Sequence, residues 1–67
     1  MGPRGLPRNL CRLMAERGWT QARMGIEAGM PQSTVSAIAR GTRTPTLATL
    51  RKIRAALGCS WDELLGE

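Results

Sequence analysis

Short polar side chains follow one side of a predicted helix near residue 36, and they could form contacts with DNA base edges. At about 100° per residue, this side lies opposite the apolar positions of the helix and comprises Ser33, Ala37 and Arg40, flanked by Gln32 and Ser36. Gln32 can bond an adenine through both amide atoms, Ser33 can donate or accept at a purine, and the Ala37 methyl can touch a thymine methyl. A solvated helix face would show the same polarity without any function.

The charge of the chain favours a polyanionic partner. The 67 residues carry a formal charge of +5 and a sequence pI near 11.1. Between Arg17 and Arg54 there are seven basic residues and a single acid, Glu27, whereas three of the five acids fall in the last six positions. A chain this short forms one domain, for which we expect residues 6–67, and residues 1–5 are expected to be a flexible arm.

The sequence has few of the residue types that catalyse reactions or bind metals. The sequence contains no His and no Tyr, and neither Cys11 nor Cys59 has a neighbouring base to activate it. We therefore expect no enzyme activity, no metal and no cofactor, and no small-molecule ligand. Both cysteines are predicted to be buried free thiols. No apolar run approaches the roughly 18 residues that span a bilayer, so we expect a cytoplasmic protein with no membrane contact.

The elements that would position these side chains form a helix-turn-helix. A short helix over 21–28 begins after Thr20, a good N-cap, and ends at Gly29, which tolerates a positive φ. A second helix follows over about 32–40. Gly25 has no side chain to hold the two helices apart, so they can cross closely.

Three further helices complete an all-α prediction. The first runs over about 7–17 with an apolar face of Leu6, Leu10, Leu13 and Met14. The fourth covers about 47–57, with Leu47, Leu50, Ile53 and Leu57 as its core face, and Thr46 as N-cap. The fifth opens at Ser60 with an S-x-x-E capping box.

These motifs together resemble the Cro/repressor helix-turn-helix family, whose members are similar to the DNA-binding domain of phage lambda repressor. The resemblance runs from Leu10 to Leu65 and is carried by Thr20-Gln21, Gly29, Gln32-Ser33, Val35, Ile38, Gly41 to Pro45, Leu47, Leu50, Ile53, Ala56-Leu57-Gly58 and Ser60 to Leu65. It implies a five-helix lambda repressor-like domain that reads double-stranded DNA as a small bacterial or phage regulator, a repressor. The base-reading residues predicted are Gln32, Ser33, Ser36 and Ala37, and of these Gln32 and Ser33 resemble the pair that the family uses.

Phosphate contacts are expected around this helix. Gln21 begins the preceding helix, where free amides and the helix dipole favour an anion. Arg43 in the following loop, with Arg40 and Arg23, resembles the phosphate clamps of the family, and the arginine fork suits two phosphate oxygens.

One reading helix contacts only about half a turn of DNA, so we expect a weak homodimer on a near-palindromic operator. The predicted interface is Trp61, Leu64 and Leu65, because the last helix is too short to bury all three. The alternative is that Leu64 and Leu65 close the core and Trp61 lies on the fourth helix.

Two other functions stay open at this point. A protein-interaction module, such as an antitoxin-like partner, could use exposed Ile26 and Trp61. An RNA binder is disfavoured, since the only two aromatic residues look structural and leave no stacking platform.

Overall fold

The computed structural model describes residues 5–66, and this part of the chain consists of five α-helices with no strand. They are α1 (Leu6–Arg17), α2 (Gln21–Ala28), α3 (Gln32–Ala39), α4 (Leu47–Leu57) and α5 (Trp61–Leu65). The all-α prediction is confirmed, with helix bounds within about one residue of those expected. The predicted arm, residues 1–5, lies outside the described residues except for Gly5, which is the N-cap of α1.

Side-chain caps fix where three of the helices begin. The Thr20 hydroxyl accepts the Arg23 amide at 3.1 Å, and the Thr46 hydroxyl accepts the Thr49 amide at 3.2 Å. Ser60 opens α5 with both hydrogen bonds of a capping box. Each cap satisfies an amide that the helix itself leaves unpaired, so the three predicted start points are confirmed.

A single apolar core lies between the helices, and every helix contributes to it. Its most deeply buried members are Leu10, Leu13, Met24, Val35, Ile38, Ile53 and Leu64. The predicted apolar face of α1 is confirmed, because Leu6, Leu10, Leu13 and Met14 are all buried.

The predicted core face of α4 is wrong at one position. Leu50, Ile53 and Leu57 are buried, but Leu47 is 57% exposed. Rotation of about 100° per residue sets Leu47 about 60° past Leu50 and about 120° from Ile53, at the edge of the apolar stripe. An apolar residue in the first turn therefore faces solvent.

The cysteine prediction is half right. Cys59 is buried and Cys11 is exposed, and both thiols are free. Cys11 follows buried Leu10 by one residue, which turns its side chain about 100° toward solvent. Its Sγ lies 3.9 Å from the carbonyl oxygen of Ala39.

One polar side chain, which the apolar pattern of the sequence does not predict, lies inside the core. Asn9 is 9% exposed, and its Nδ2 donates to the carbonyl oxygens of Leu64 at 3.0 Å and Gly66 at 2.6 Å. A Cβ on Gly5 would overlap the Gly66 carbonyl, so these two glycines are in contact. The start of α1 is thus held to the residues that follow α5.

None of the helices found in residues 5–66 has the length and apolar character needed to cross a membrane.

Candidate nucleic-acid interface

The corner between α2 and α3 is built by two glycines. Gly29 has a φ of 68°, which is strained for other residues, and it turns the chain at the end of α2. A Cβ on Gly25 would lie 2.7 Å from the carbonyl oxygen of Met30 and 3.4 Å from the amide nitrogen of Gln32. The start of α3 therefore packs directly on the backbone of α2, as the sequence predicts for Gly25.

The predicted base-reading residues lie on the side of α3 away from the core. Val35 and Ile38 are each 1% exposed and anchor the helix. The opposite side carries exposed Gln32 and Ser33 and half-buried Ser36 and Ala37. This side is slim and polar, which is the form that a major groove accepts.

The first turn of α3 has unused hydrogen-bonding groups. Its N-cap is Pro31, which supplies no capping side chain. Within residues 5–66, the side chains of Gln32 and Ser33 have no hydrogen-bond partner. Donors and acceptors are therefore available at the tip of the helix.

Beyond the other end of α3, a short loop carries two basic side chains. Arg40 is the C-cap, and Arg43 is exposed in the loop. Thr42 fastens this loop to α3, because its amide and hydroxyl both donate to the carbonyl oxygen of Ala37, at 3.0 Å and 3.2 Å. Arg40 and Arg43 are thus held near one end of the polar side of α3.

The other two residues predicted to bind phosphate lie on α2, and they differ in burial and in the contacts that their side chains already make. Gln21 is half-buried at the first position of the helix. Arg23 donates from Nε to the Glu27 carboxylate at 2.6 Å, and its Cζ lies 5.3 Å from the centre of the Trp19 ring. Arg23 must release the Glu27 carboxylate before it can bind a phosphate. The i to i+4 spacing of Arg23 and Glu27 is the sequence signal for this ion pair.

The predicted pairing surface at α5 is wrong in part. Leu64 is fully buried and belongs to the core, since Asn9 holds its carbonyl and the short helix points its side chain inward. Leu65 is half-buried against the same core. Trp61 is 37% exposed, with its ring 5.0 Å from the Cζ of Arg54 on α4. The alternative in which Leu64 closes the core and Trp61 lies on α4 describes these residues better.

An apolar groove lies beside the tip of α3. The residues that line it come from α2, the turn and the first position of α3: Ala22, Gly25, Ile26, Gly29, Met30, Pro31 and Gln32. Ile26 is 77% exposed, as predicted.

The groups with shifted pKa values lie around α5. Hydrogen bonds from the Ser60 amide and hydroxyl lower the pKa of Glu63, while burial and the nearby Glu63 carboxylate raise the pKa of the Cys59 thiol. Among the described residues, no group of three or more His, Cys, Asp or Glu is arranged to hold a metal ion.

Comparison with known proteins agrees with this geometry. A family model described as helix-turn-helix matches residues 11–64. An uncharacterized HTH-type transcriptional regulator, y4dJ, of Sinorhizobium fredii (strain NBRC 101917 / NGR234) is 40% identical over 57 residues, which cover 85% of this chain and 74% of that protein. No solved structure matches the chain. With the family model covering most of the chain and the α2–α3 corner built as described, the chain belongs to the Cro/repressor-type helix-turn-helix family of DNA-binding transcriptional regulators.

Proposed function

We propose that this protein is a small transcriptional repressor that binds double-stranded DNA sequence-specifically by placing α3 in the major groove. The observation that carries this proposal is the first turn of α3, where exposed Gln32 and Ser33 have no partner within residues 5–66. Val35 and Ile38 fix the opposite side of the helix in the core, so the two polar side chains are presented on a rigid element.

Each residue on the polar side of α3 has a role that follows from its chemistry. The Gln32 amide pairs with an adenine edge, and the Ser33 hydroxyl donates or accepts at a purine. Ser36 and Ala37 are small, which lets the helix approach the bases, and the Ala37 methyl contacts a thymine methyl. These four contacts select sequence.

A second set of contacts sets the position of the domain on the duplex. Gln21 at the start of α2 and Arg40 and Arg43 after α3 bind phosphates on either side of the groove. Arg23 joins them by exchanging the Glu27 carboxylate for a phosphate oxygen. Such contacts give affinity without sequence preference and make binding sensitive to salt.

Two copies are needed for tight binding, because one reading helix covers only half a turn of DNA. The proposed operator is therefore nearly palindromic, with half-sites about 34 Å apart, and the protein is a weak homodimer that forms fully on DNA. Neither a cofactor nor a small-molecule ligand enters this proposal, which places the protein on DNA in the cytoplasm.

The test compares a base-reading with a phosphate-binding variant on duplexes selected from a random pool. Gln32→Ala is expected to cost about 1–3 kcal/mol on the selected sequence and to relax the choice at one base pair. Arg43→Ala should weaken binding to all sequences nearly alike. It should also lower by about one the salt slope, which is the steepness with which log affinity falls as log salt concentration rises.

Arg12→Ala is the matched control, because it removes the same charge from α1, where Arg12 pairs with Glu16 at 3.1 Å. Its salt slope should stay near that of the parent protein. If Gln32→Ala and Arg43→Ala both lower affinity with unchanged sequence preference, Gln32 does not read a base.

A protein-interaction module is the second candidate, and the exposure of Ile26 in an apolar groove favours it. Titration with duplex DNA at two salt concentrations separates the two functions. A repressor binds with a steep salt dependence, whereas an interaction module hardly binds at either concentration.

A further inference from the structure

The apolar groove beside the tip of α3 holds the most exposed large apolar side chain of residues 5–66, that of Ile26. We propose that Ile26 is a further specificity-determining residue, whose side chain contacts the 5-methyl group of a thymine next to the base that Gln32 reads. The inference rests on the proposed function, to which it adds a residue on α2, outside the reading helix.

Ile26 lies beside Gln32 because α2 and α3 approach each other closely. A Cβ on Gly25, the residue before Ile26, would lie 3.4 Å from the amide nitrogen of Gln32 and 3.6 Å from its Cα. Ile26 and Gln32 both line the groove. A base that the Gln32 side chain reaches is therefore next to the groove.

Ala22 and Ile26 form a row along α2 that leads toward the same tip. They are four residues apart, so both lie on one side of the helix, and both line the groove. The row begins next to Gln21, for which a phosphate contact is proposed. An α-helix with its side chains is about as wide as the major groove, roughly 12 Å, so the part of α2 that touches the tip of α3 is held against the DNA as well.

The lining of the groove suits an apolar group of DNA better than a phosphate. Apart from Gln32, all the residues that line it are apolar, and none is charged. Glu27, the acid next to Ile26, is already paired with Arg23 at 2.6 Å. The 5-methyl group of thymine is the apolar group that base edges present in the major groove. Ile26 can therefore cover this group without leaving a polar side chain unpaired.

The backbone of the groove is fixed before DNA binds, which suits recognition of a group as small as a methyl. The ring of Pro31 holds its φ at −62°, and proline has no amide hydrogen to bury. The Met30 amide donates to the Gly25 carbonyl at 2.9 Å, and the Gly29 amide donates to the Ile26 carbonyl at 3.3 Å. Little conformational entropy is therefore lost when the groove is covered.

The driving force is the removal of apolar area from water. Ile26 is 77% exposed in the free domain, and contact with a methyl group shields both partners. Burial of one methyl-sized group changes an affinity about fourfold. Ile26 therefore adjusts the preference for thymine at one position, while the polar side of α3 supplies most of the sequence selection.

Replacement of thymine by uracil tests the contact, because uracil lacks only the 5-methyl group. The half-site that the parent protein selects from a random pool is made with uracil at each thymine in turn. Duplex titrations then give the affinities of the parent protein and of Ile26→Ala. At one thymine, uracil should lower the affinity of the parent about fourfold and that of Ile26→Ala by less than about 1.5-fold.

Two further variants and an internal control show whether this loss is specific. Leu47→Ala removes a similar exposed apolar side chain from α4 and should keep every uracil effect of the parent. Ile26→Leu keeps the apolar area and should keep the effect at the same thymine. A thymine contacted by the Ala37 methyl should respond to uracil equally in the parent and in Ile26→Ala. The thermal midpoint of Ile26→Ala should match that of the parent, since Ile26 lies outside the core.

Equal uracil effects in the parent and in Ile26→Ala at every thymine would overturn the inference. If Ile26→Ala then binds all duplexes as the parent does, the groove is free to receive a protein. If it binds all of them more weakly by one factor, the side chain lies on deoxyribose. A selected half-site with no methyl-sensitive thymine would also overturn it.

The selection step keeps this result separate from the proposed function. A parent protein that selects no sequence refutes the proposed function, and the thymine contact fails with it. A parent protein that selects a sequence but shows no thymine coupled to Ile26 refutes the thymine contact alone.

Discussion

Replacing Gly25 with alanine measures how closely α3 is set against α2. In an ordinary helix interior, glycine to alanine stabilises by roughly 0.5–1 kcal/mol. Here the new Cβ would lie 2.7 Å from the carbonyl oxygen of Met30, and the neighbouring atoms are backbone atoms of the turn into α3. Overpacking of this kind costs about 1–3 kcal/mol, so a net loss of about 1–2 kcal/mol is expected.

The loss should appear as a lower thermal midpoint, by about 4–16 °C for a domain of this size. Ala55→Gly is the matched control, since Ala55 is exposed on α4 and its replacement reports the ordinary preference of a helix for alanine. Specific DNA affinity of Gly25→Ala should fall further than stability alone requires, because α3 must move. A Gly25→Ala domain as stable as the parent, with Ala55→Gly destabilised, would show that the close approach at Gly25 is not limiting.

Two further predictions concern α5 and the cysteines. Cys11 is exposed and should react with a maleimide in the native protein. Cys59 is 5% exposed and has a raised thiol pKa, so it should react only on unfolding. Mass spectrometry of the labelled peptides checks this, and equal labelling of the two cysteines would contradict it. Because folding lowers the pKa of Glu63, its capping bond stabilises the fold above the ordinary value of 4.5 and is lost as pH falls through the lowered value. The thermal midpoint should therefore drop below pH 4.5, and it should drop less in Glu63→Gln.

Most of the fold could be predicted because its signals are local. Caps such as Thr20 and Ser60 accept hydrogen bonds from amides three residues away, and Gly29 ends α2 through its own positive φ. The close approach at Gly25 could be anticipated from the absence of a side chain between two amphipathic helices. The helical periodicity of α3 predicts which of its side chains are exposed, because buried Val35 determines which side of the helix faces the core.

The errors came from features that depend on the other helices. Leu47 fits the α4 pattern, but periodicity does not say that the first turn lies at the edge of the core. The shortness of α5 predicts Leu64 on a surface, whereas the side chain of Asn9, a polar residue in the apolar pattern of α1, binds the Leu64 carbonyl from 55 positions away. No local pattern encodes a hydrogen bond between the first and last helices.

The contact of Gly5 with Gly66, and the hydrogen bond that Asn9 makes to the second glycine, bring the two ends of the described chain together. A linker of a few residues could therefore join Gly66 to Gly5 and make the backbone a ring. The ring would lower the conformational entropy of the unfolded chain and leave the folded domain unchanged. New termini could then be opened in the exposed loop at Thr44. In such a circular permutant α4 would come first and α3 last, while the α2–α3 corner and its polar side stay in one piece. The arrangement of the helices in space, and not their order along the chain, is what the interface requires.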